Sequence, residues 1–258
     1  MPRATIGLPG QLTLLACWDA LASASTDAQV TRVSDAVAAV FPASAFLNNA
    51  ILDDAVDDAA LPDVVSSLGR AYADVGVATW ALWVPSRAAS FHEPQDRLPA
   101  IGELERDITT LVMRATLSSR LRPHDEVIRA SIAAVERIAL GDPVPAAELG
   151  EPDSNPGLAG WAVLDRGVAV ASVYTYLHGT DCGIYAVGTL PQWRRRGLAR
   201  ALVEHALVDA RHHGARTASL QSTPMGQPLY ESLGFRPAGR YEEWVTSTVR
   251  PASRPSPS

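Results

Sequence analysis

Three observations predict an α/β protein. Residues 183–213 read as a β-branched strand, a tight glycine turn and an amphipathic helix. The order strand, helix, strand, strand occurs once in each half of the chain. A hydrophobic fraction of 47% over 258 residues allows one large core or two small ones.

Along the first half, residues 11–21 and 28–40 read as helices, the second stopped by Pro42. Residues 45–52 read as a strand and 63–74 as a helix ending at Gly76. Residues 77–84 read as a strand stopped by Pro85, and 107–117, rich in Thr, Val and Met, as another. The joint between halves falls near 118–124, and 125–140 reads as a helix that opens the second half. Strand 183–190, helix 198–213 and strands 216–221 and 240–248 follow, and the Pro/Ser-rich 251–258 reads as a disordered tail.

The helix after the glycine turn carries the chemistry. Leu198, Ala201, Leu202 and Ala206 recur at helical spacing, with Gly214 as the stop. Its first turn presents unpaired N–H groups and the equivalent of about half a positive charge. Gly197 and Ala199 add little side chain there. Such an end suits a pyrophosphate, and hence a nucleotide-bearing cofactor.

Arg194, Gly197 and Ala199 match the pattern Gln or Arg, two residues, Gly, one residue, Gly or Ala. This stretch resembles the acetyl-CoA signature of the GNAT (GCN5-related) N-acetyltransferases. A second element, Gln227-Pro-Leu-Tyr230-Glu-Ser-Leu-Gly234-Phe235, is similar to the helix that carries that family's general-acid tyrosine. The resemblance runs from about Leu158 to Val249. It implies a mixed twisted sheet flanked by helices, in a tandem arrangement whose first half is degenerate.

The resemblance further implies acetyl-CoA as co-substrate without a metal. The acceptor is a small-molecule amine or a peptide or protein amine. The cofactor-binding set it implies is Val187, Gly188, Thr189, Arg194, Arg195, Arg196, Gly197, Leu198, Ala199 and Thr223, with Tyr230 protonating the leaving thiolate. Three positions depart from the family pattern: Thr223 stands for a frequent asparagine, Gly226 for an alanine and Thr189 for a valine. On this reading residues 1–120 form a degenerate domain without cofactor and residues 121–250 the acetyltransferase domain. In the first half, the segment between Leu52 and Val64 carries Asp53, Asp54, Asp57, Asp58 and Asp63, which would repel a pyrophosphate, and it has no glycine turn equivalent to Gly197. An unrelated α/β cap sharing only the element order is the alternative for this half.

Composition narrows the partners. The formal charge of −6 and the short, local cluster Arg194–Arg196 with Arg200 argue against nucleic acid. No apolar run approaches eighteen residues and no secretory signal pattern opens the chain, so the expectation is a cytoplasmic protein without membrane attachment. Cys17 and Cys182 read as buried small hydrophobes, and the six histidines lack metal-ligand spacing. Every basic side chain is arginine, which removes Schiff-base chemistry and self-acetylation on lysine.

The general base is not assigned by sequence: Glu242, Glu243, Asp181, His178 and Tyr185 are candidates. Trp161, Tyr174, Tyr176, Tyr185 and Trp244 are candidates for an aromatic acceptor pocket and equally for ordinary core. Two other readings stand beside the enzyme. One is a catalytically silent acetyl-CoA or ligand sensor. The other is an interaction module, which predicts an exposed apolar patch at Trp80 and Trp83. A homodimer is an assembly the sequence leaves open.

Overall fold

The computed structural model describes residues 7–44, 46–54, 56–92 and 104–246. The chain divides into one unit of Met1–Leu8, Trp18–Leu111 and Ala238–Ser258 and another of Pro9–Cys17 and Val112–Pro237. The first elements are α1 (Gln11–Ser23), β1 (Gln29–Val33), β2 (Ala36–Val40), β3 (Asn49–Leu52), α2 (Leu61–Ala73), β4 (Ala81–Ser86) and β5 (Leu104–Thr116). Then come β6 (Val127–Ala130), α3 (Ile132–Ala139), β7 (Val144–Pro145), β8 (Leu158–Asp165), β9 (Val168–His178) and β10 (Asp181–Thr189). The chain closes with α4 (Leu198–His212), β11 (Thr217–Ser222), α5 (Gln227–Ser232) and β12 (Arg236–Thr246).

In the first unit the strand order is β1-β2-β3-β4-β12, followed by β5 as far as Leu111. Residues 28–40, expected as a helix, are the β1–β2 hairpin. Val30, Thr31, Val33, Val37 and Val40 favour extended backbone, and Ser34 takes φ 51° in a two-residue turn closed by the Val33–Ala36 pair. β2 and β3 are antiparallel, and α2 carries the chain over to β4, parallel to β3. Pro85, expected as a stop, lies inside β4 opposite Tyr241. The β3–β4 ladder ends at Trp83, so at Pro85 no β3 pairing is lost for want of an N–H. Leu61, Val64, Leu68 and Tyr72 of α2 bury one stripe against Leu52, Leu82, Trp80 and Trp244. The Tyr72 ring stacks on Trp80 at 5.1 Å and its hydroxyl donates to the Ala39 carbonyl at 3.0 Å.

The expected exposed tryptophan patch is not there. Trp80 is buried against Tyr72, and Trp83 packs between Trp18 and Tyr241 at ring distances of 5.9 and 5.4 Å.

The second unit orders its strands as β5 from Val112, then β11-β10-β9-β8-β6, with β7 on β9. Residues 125–140, expected as one helix, are β6 followed by α3. Ser131 divides them: its extended backbone caps α3, with the hydroxyl accepting from the Ala134 N–H at 3.2 Å. β8 and β9, not assigned from sequence, form a hairpin turned by Arg166 (φ 50°) and Gly167 (φ 81°). β9 and β10 are antiparallel, and α4 crosses from β10 to its parallel neighbour β11. This is the same succession of pairings as β2, β3, α2 and β4. The expected strand at 240–248 begins earlier, at Arg236, and its last two residues, like the tail 251–258 and the expected strand start at Ala45, lie outside the described residues.

Candidate active site

β10 is where the second unit departs from regular sheet. Its ladder with β11 runs from Asp181–Thr217 to Ile184–Leu220, whereas β10 itself continues to Thr189. On the β9 side Tyr185 pairs with Tyr174 and Gly188 with Ser172, so β10 carries one extra residue between them. Ala186 absorbs that bulge with φ 50°, a left-handed conformation that costs a non-glycine residue about 1 kcal/mol or more. Tyr185, Ala186, Val187, Gly188 and Thr189 remain half-buried beyond the last β11 pair.

Gly188 is required for packing. A Cβ there would lie 2.8 Å from the Ala139 Cα and 3.3 Å from the Ala139 nitrogen, so α3 rests directly on the strand. Thr189 offers its carbonyl to the Arg194 Nε at 3.1 Å, while its buried hydroxyl has no partner among the described residues.

A 3₁₀ turn at Pro191–Trp193 leads into α4, anchored by the Trp193 Nε1 donating to Asp165 Oδ2 at 2.8 Å. Arg195 (φ 63°) and Gly197 (φ 82°) both take left-handed backbone. At Gly197 a Cβ would meet open space, so the backbone angle rather than crowding requires glycine. Among the described residues no side chain caps α4, and no acidic residue stands in its first turn. Arg194, Arg195, Arg196 and Gly197 are exposed, Leu198 and Ala199 half-buried. A helix start with free N–H groups and three exposed guanidiniums attracts an anion.

β11 ends at Ser222, at the same end of the parallel pair. Thr223 there accepts from the Gly226 N–H through its hydroxyl (3.3 Å) and its carbonyl (3.0 Å), turning the chain into α5. Tyr230 on α5 is buried, its ring edge-on to Phe235 at 5.9 Å. Burial pushes its phenol up, so it stays protonated at neutral pH. Gly226, the departure from the alanine of the family pattern, has a reason: a Cβ there would stand 2.9 Å from the Tyr230 Cε2 and 3.2 Å from the Ser222 Oγ.

The structure therefore gathers Val187 through Thr189, Arg194 through Ala199, Thr223 and Tyr230 at one end of the β10–β11 pair. It sets other candidates apart. Asp181 lies at the opposite end of β10, six residues and roughly 20 Å from Val187 along the strand. Its carboxylate is occupied by the hydroxyls of Thr217 and Ser219, each at 2.6 Å, and Thr13 at 2.8 Å. His178 pairs opposite Asp181 and shares that distance. Glu242, in the first unit, is held by Arg240 and Arg106, each at 2.9 Å, and by the Thr109 hydroxyl at 2.8 Å.

Of the aromatic set, Trp161 is core: it meets His205 of α4 at 4.6 Å and the Arg129 guanidinium at 4.1 Å. Trp244 belongs to the first unit's core. Tyr174 and Tyr185 do come together, at 5.3 Å, and burial raises both phenols. Sequence reasoning did not single out Glu136 of α3. Burial first, then the charge of Asp153, pushes its carboxyl up to about 7. A carboxylate on the stripe of Ile132 and Ala139 was the available signal.

A strand that leaves its parallel neighbour and runs into a glycine-started, uncapped helix defines an α/β domain able to take a phosphate-bearing ligand in the opening. Residues 157–237 match the family model described as acetyltransferase (GNAT) domain, and the chain carries a GNAT domain over these residues. No curated protein matches the sequence.

Among solved structures, the chain is similar to a GCN5-related N-acetyltransferase from Kribbella flavida. The two share 18% identity and a TM-score of 0.66 over 96% of this chain and 98% of that one. It is also similar to a conserved protein of unknown function from Staphylococcus epidermidis (11%, TM-score 0.57, 88% and 97% covered). A third likeness is to a tandem GNAT protein from the clavulanic acid biosynthesis pathway (10%, TM-score 0.53, 95% and 89% covered). At these identities the likenesses establish the fold, including a tandem form of it.

Proposed function

We propose that this chain is an acetyl-CoA-dependent N-acetyltransferase. The observation that carries the reading is the β10–β11 ladder ending at Ile184–Leu220, while β10 continues into the acid-free helix start at Gly197. Bound acetyl-CoA would supply an acetyl group as a thioester, and the residues present fit it. The N–H groups at the start of α4, with Arg194, Arg195 and Arg196, hold the pyrophosphate. Gly197 and Ala199 add little side chain beside those N–H groups. The backbone of Val187, Gly188 and Thr189, beyond the last β11 pair, holds the pantetheine arm. An N–H aimed at charge that develops on the thioester oxygen contributes about 3 kcal/mol to such reactions. Thr223 shapes the turn before α5, and Tyr230, kept neutral by burial, gives its proton to the departing thiolate.

Residues 1–120 are read as a degenerate GNAT-like domain without cofactor. Its β3 stops one residue past the β3–β4 ladder, and Asp57 and Asp58 stand just before α2, with Asp63 in its first turn. The acceptor is an amine, small or carried on a peptide, and the protein works in the cytoplasm.

The burial of Tyr230 favours one second reading, a silent acetyl-CoA-binding module. Calorimetric titration of acetyl-CoA into wild type, Gly197→Glu and Tyr230→Phe separates the two. Micromolar binding by the wild type, lost at least tenfold in Gly197→Glu and retained in Tyr230→Phe, is expected. Thiol release with an amine present in the wild type, and strongly reduced in Tyr230→Phe, marks the enzyme. No binding by the wild type at millimolar acetyl-CoA overturns both readings.

A further inference from the structure

Arg194, Arg195, Arg196 and Arg200 stand around the start of α4, and the last differs from the others. Arg194 and Arg196 donate to carbonyls of their own loop, those of Thr189 and Gln192, each at 3.1 Å, and Arg195 is exposed. None of these three is paired with a carboxylate among the described residues. Their charges remain available to an anion.

The charge of Arg200 is already answered. Its Nη1 donates to Glu204 Oε1 at 2.9 Å, one turn further along α4, and its Nη2 donates to the Ser232 Oγ of α5 at 2.5 Å. The Ser232 hydroxyl is itself fixed, donating to the Leu229 carbonyl at 2.5 Å. One guanidinium therefore joins the helix whose start faces the anion site to the helix that carries Tyr230.

The guanidinium is oriented from behind. The second oxygen of Glu204, Oε2, accepts from the His124 Nε2 at 2.9 Å, and the His124 backbone N–H donates to the His205 Nδ1 at 3.1 Å. The segment before β6 thus grips α4 at two successive residues and occupies both Glu204 oxygens. The Glu204 side chain is 19% exposed, so its pairing with Arg200 is screened less than a surface ion pair.

α5 needs such a tie. It has six residues, too few to hold together alone, and among the described residues no side chain caps its start. A phenol that protonates a departing sulfur must stand within hydrogen-bond reach of it, and an error of about 1 Å costs about 100-fold in rate. The α4 start fixes one end of the reacting pair and α5 the other, so the spacing of these two helices sets the distance between them.

We propose that Arg200 is a positioning residue for the transfer: oriented by Glu204 and His124, it acts through Ser232 to hold α5, and with it Tyr230, at a set distance from the pyrophosphate site, and it is not itself a phosphate ligand. This rests on the acetyl-transfer reading above. A lysine at this place would not substitute, because a point charge on a flexible stem lacks the planar fork that spans Glu204 and Ser232 together.

The test compares wild type, Ser232→Ala, Ser232→Thr, Arg200→Lys and the double variant Arg200→Lys/Ser232→Ala. Amide hydrogen exchange at Leu229, Tyr230 and Leu233, each bonded within the α5 turn, is followed in the ligand-free protein. Acetyl-CoA affinity is measured by calorimetry, and kcat and KM with acetyl-CoA and phenethylamine, putrescine or a lysine peptide as the probe amine. Exchange should quicken about tenfold in Ser232→Ala and in Arg200→Lys, and no further in the double variant. In the same variants kcat should fall about tenfold, again without addition in the double, while the Kd and KM of acetyl-CoA stay within about twofold. Ser232→Thr, which keeps the hydroxyl, should restore both exchange and kcat. Wild-type kcat in Ser232→Ala, additive losses in the double variant, or a raised acetyl-CoA Kd with unchanged kcat in Arg200→Lys, the mark of a phosphate ligand, overturns this role and leaves the transfer reading standing. If the wild type acetylates none of the probes, the transfer reading falls and this role falls with it.

Discussion

Gly188→Ala is the sharpest probe of how the bulged strand and α3 are built against each other. The new Cβ would sit 2.8 Å from the Ala139 Cα and 3.3 Å from its nitrogen, and only 3.4 Å from its Cβ. The two nearest atoms are backbone, so no rotamer change relieves the contact and either α3 or β10 must shift. Overpacking of this kind costs about 1–3 kcal/mol. For a chain of this size that corresponds to a fall in Tm of about 3–10 °C.

A second substitution checks the cause. Ala139→Gly removes only the Cβ and leaves the Cα and nitrogen in place, so Gly188→Ala/Ala139→Gly should not regain the loss. It should fall further, by up to about 1 kcal/mol from helix propensity. Gly197→Ala is the contrasting control, since its Cβ meets nothing and its cost is the left-handed backbone alone, about 1 kcal/mol. Denaturant unfolding of the four variants reads these differences directly. A Gly188→Ala protein with wild-type stability, or full rescue by Ala139→Gly, would falsify the packing of α3 on β10.

Two further outcomes follow from the site. Burial raises Glu136 from 4.5 to about 7, so the folded state holds this proton more tightly than the unfolded chain. That contribution is fully present below about pH 4.5 and is lost as pH rises through 7, an effect of up to about 3 kcal/mol. Glu136→Gln should therefore flatten the decline in unfolding free energy between pH 5 and 8, and an unchanged slope would contradict the burial of this carboxyl. Gly226→Ala presses a methyl against the Tyr230 ring, with a 2.9 Å approach to be relieved by moving that ring. It should lower stability by about 1–3 kcal/mol, and combining it with Tyr230→Ala should remove most of the added loss in a double-mutant cycle.

The site was legible in sequence where chemistry is local. The turn Arg194–Ala199 and the Tyr230 segment could be read because a glycine turn, a helix start and a spaced tyrosine are short-range patterns, and the structure places them at one end of the β10–β11 pair. The hairpin at 29–40 was misread because alternating small and β-branched residues satisfy a helical stripe as well as a strand. The Val33–Ala36 closure depends on a partner strand. Ser131, the cap of α3, lies in the middle of what reads as one helix, and the break there goes with the pairing of β6 to β8.

The sequence by itself determined the strand–glycine–helix unit, the absence of lysine chemistry and the acidic character of the segment before α2. These depend on residue type and on spacing within one or two turns. Tertiary structure alone decided that Asp181 is bound up by three hydroxyls, that Trp161 is core and that Gly226 makes room for Tyr230. The first two join residues far apart in the chain, and the third depends on how the Tyr230 ring is packed. Desolvation and close approach belong to the packed neighbours of a group, which local sequence does not encode.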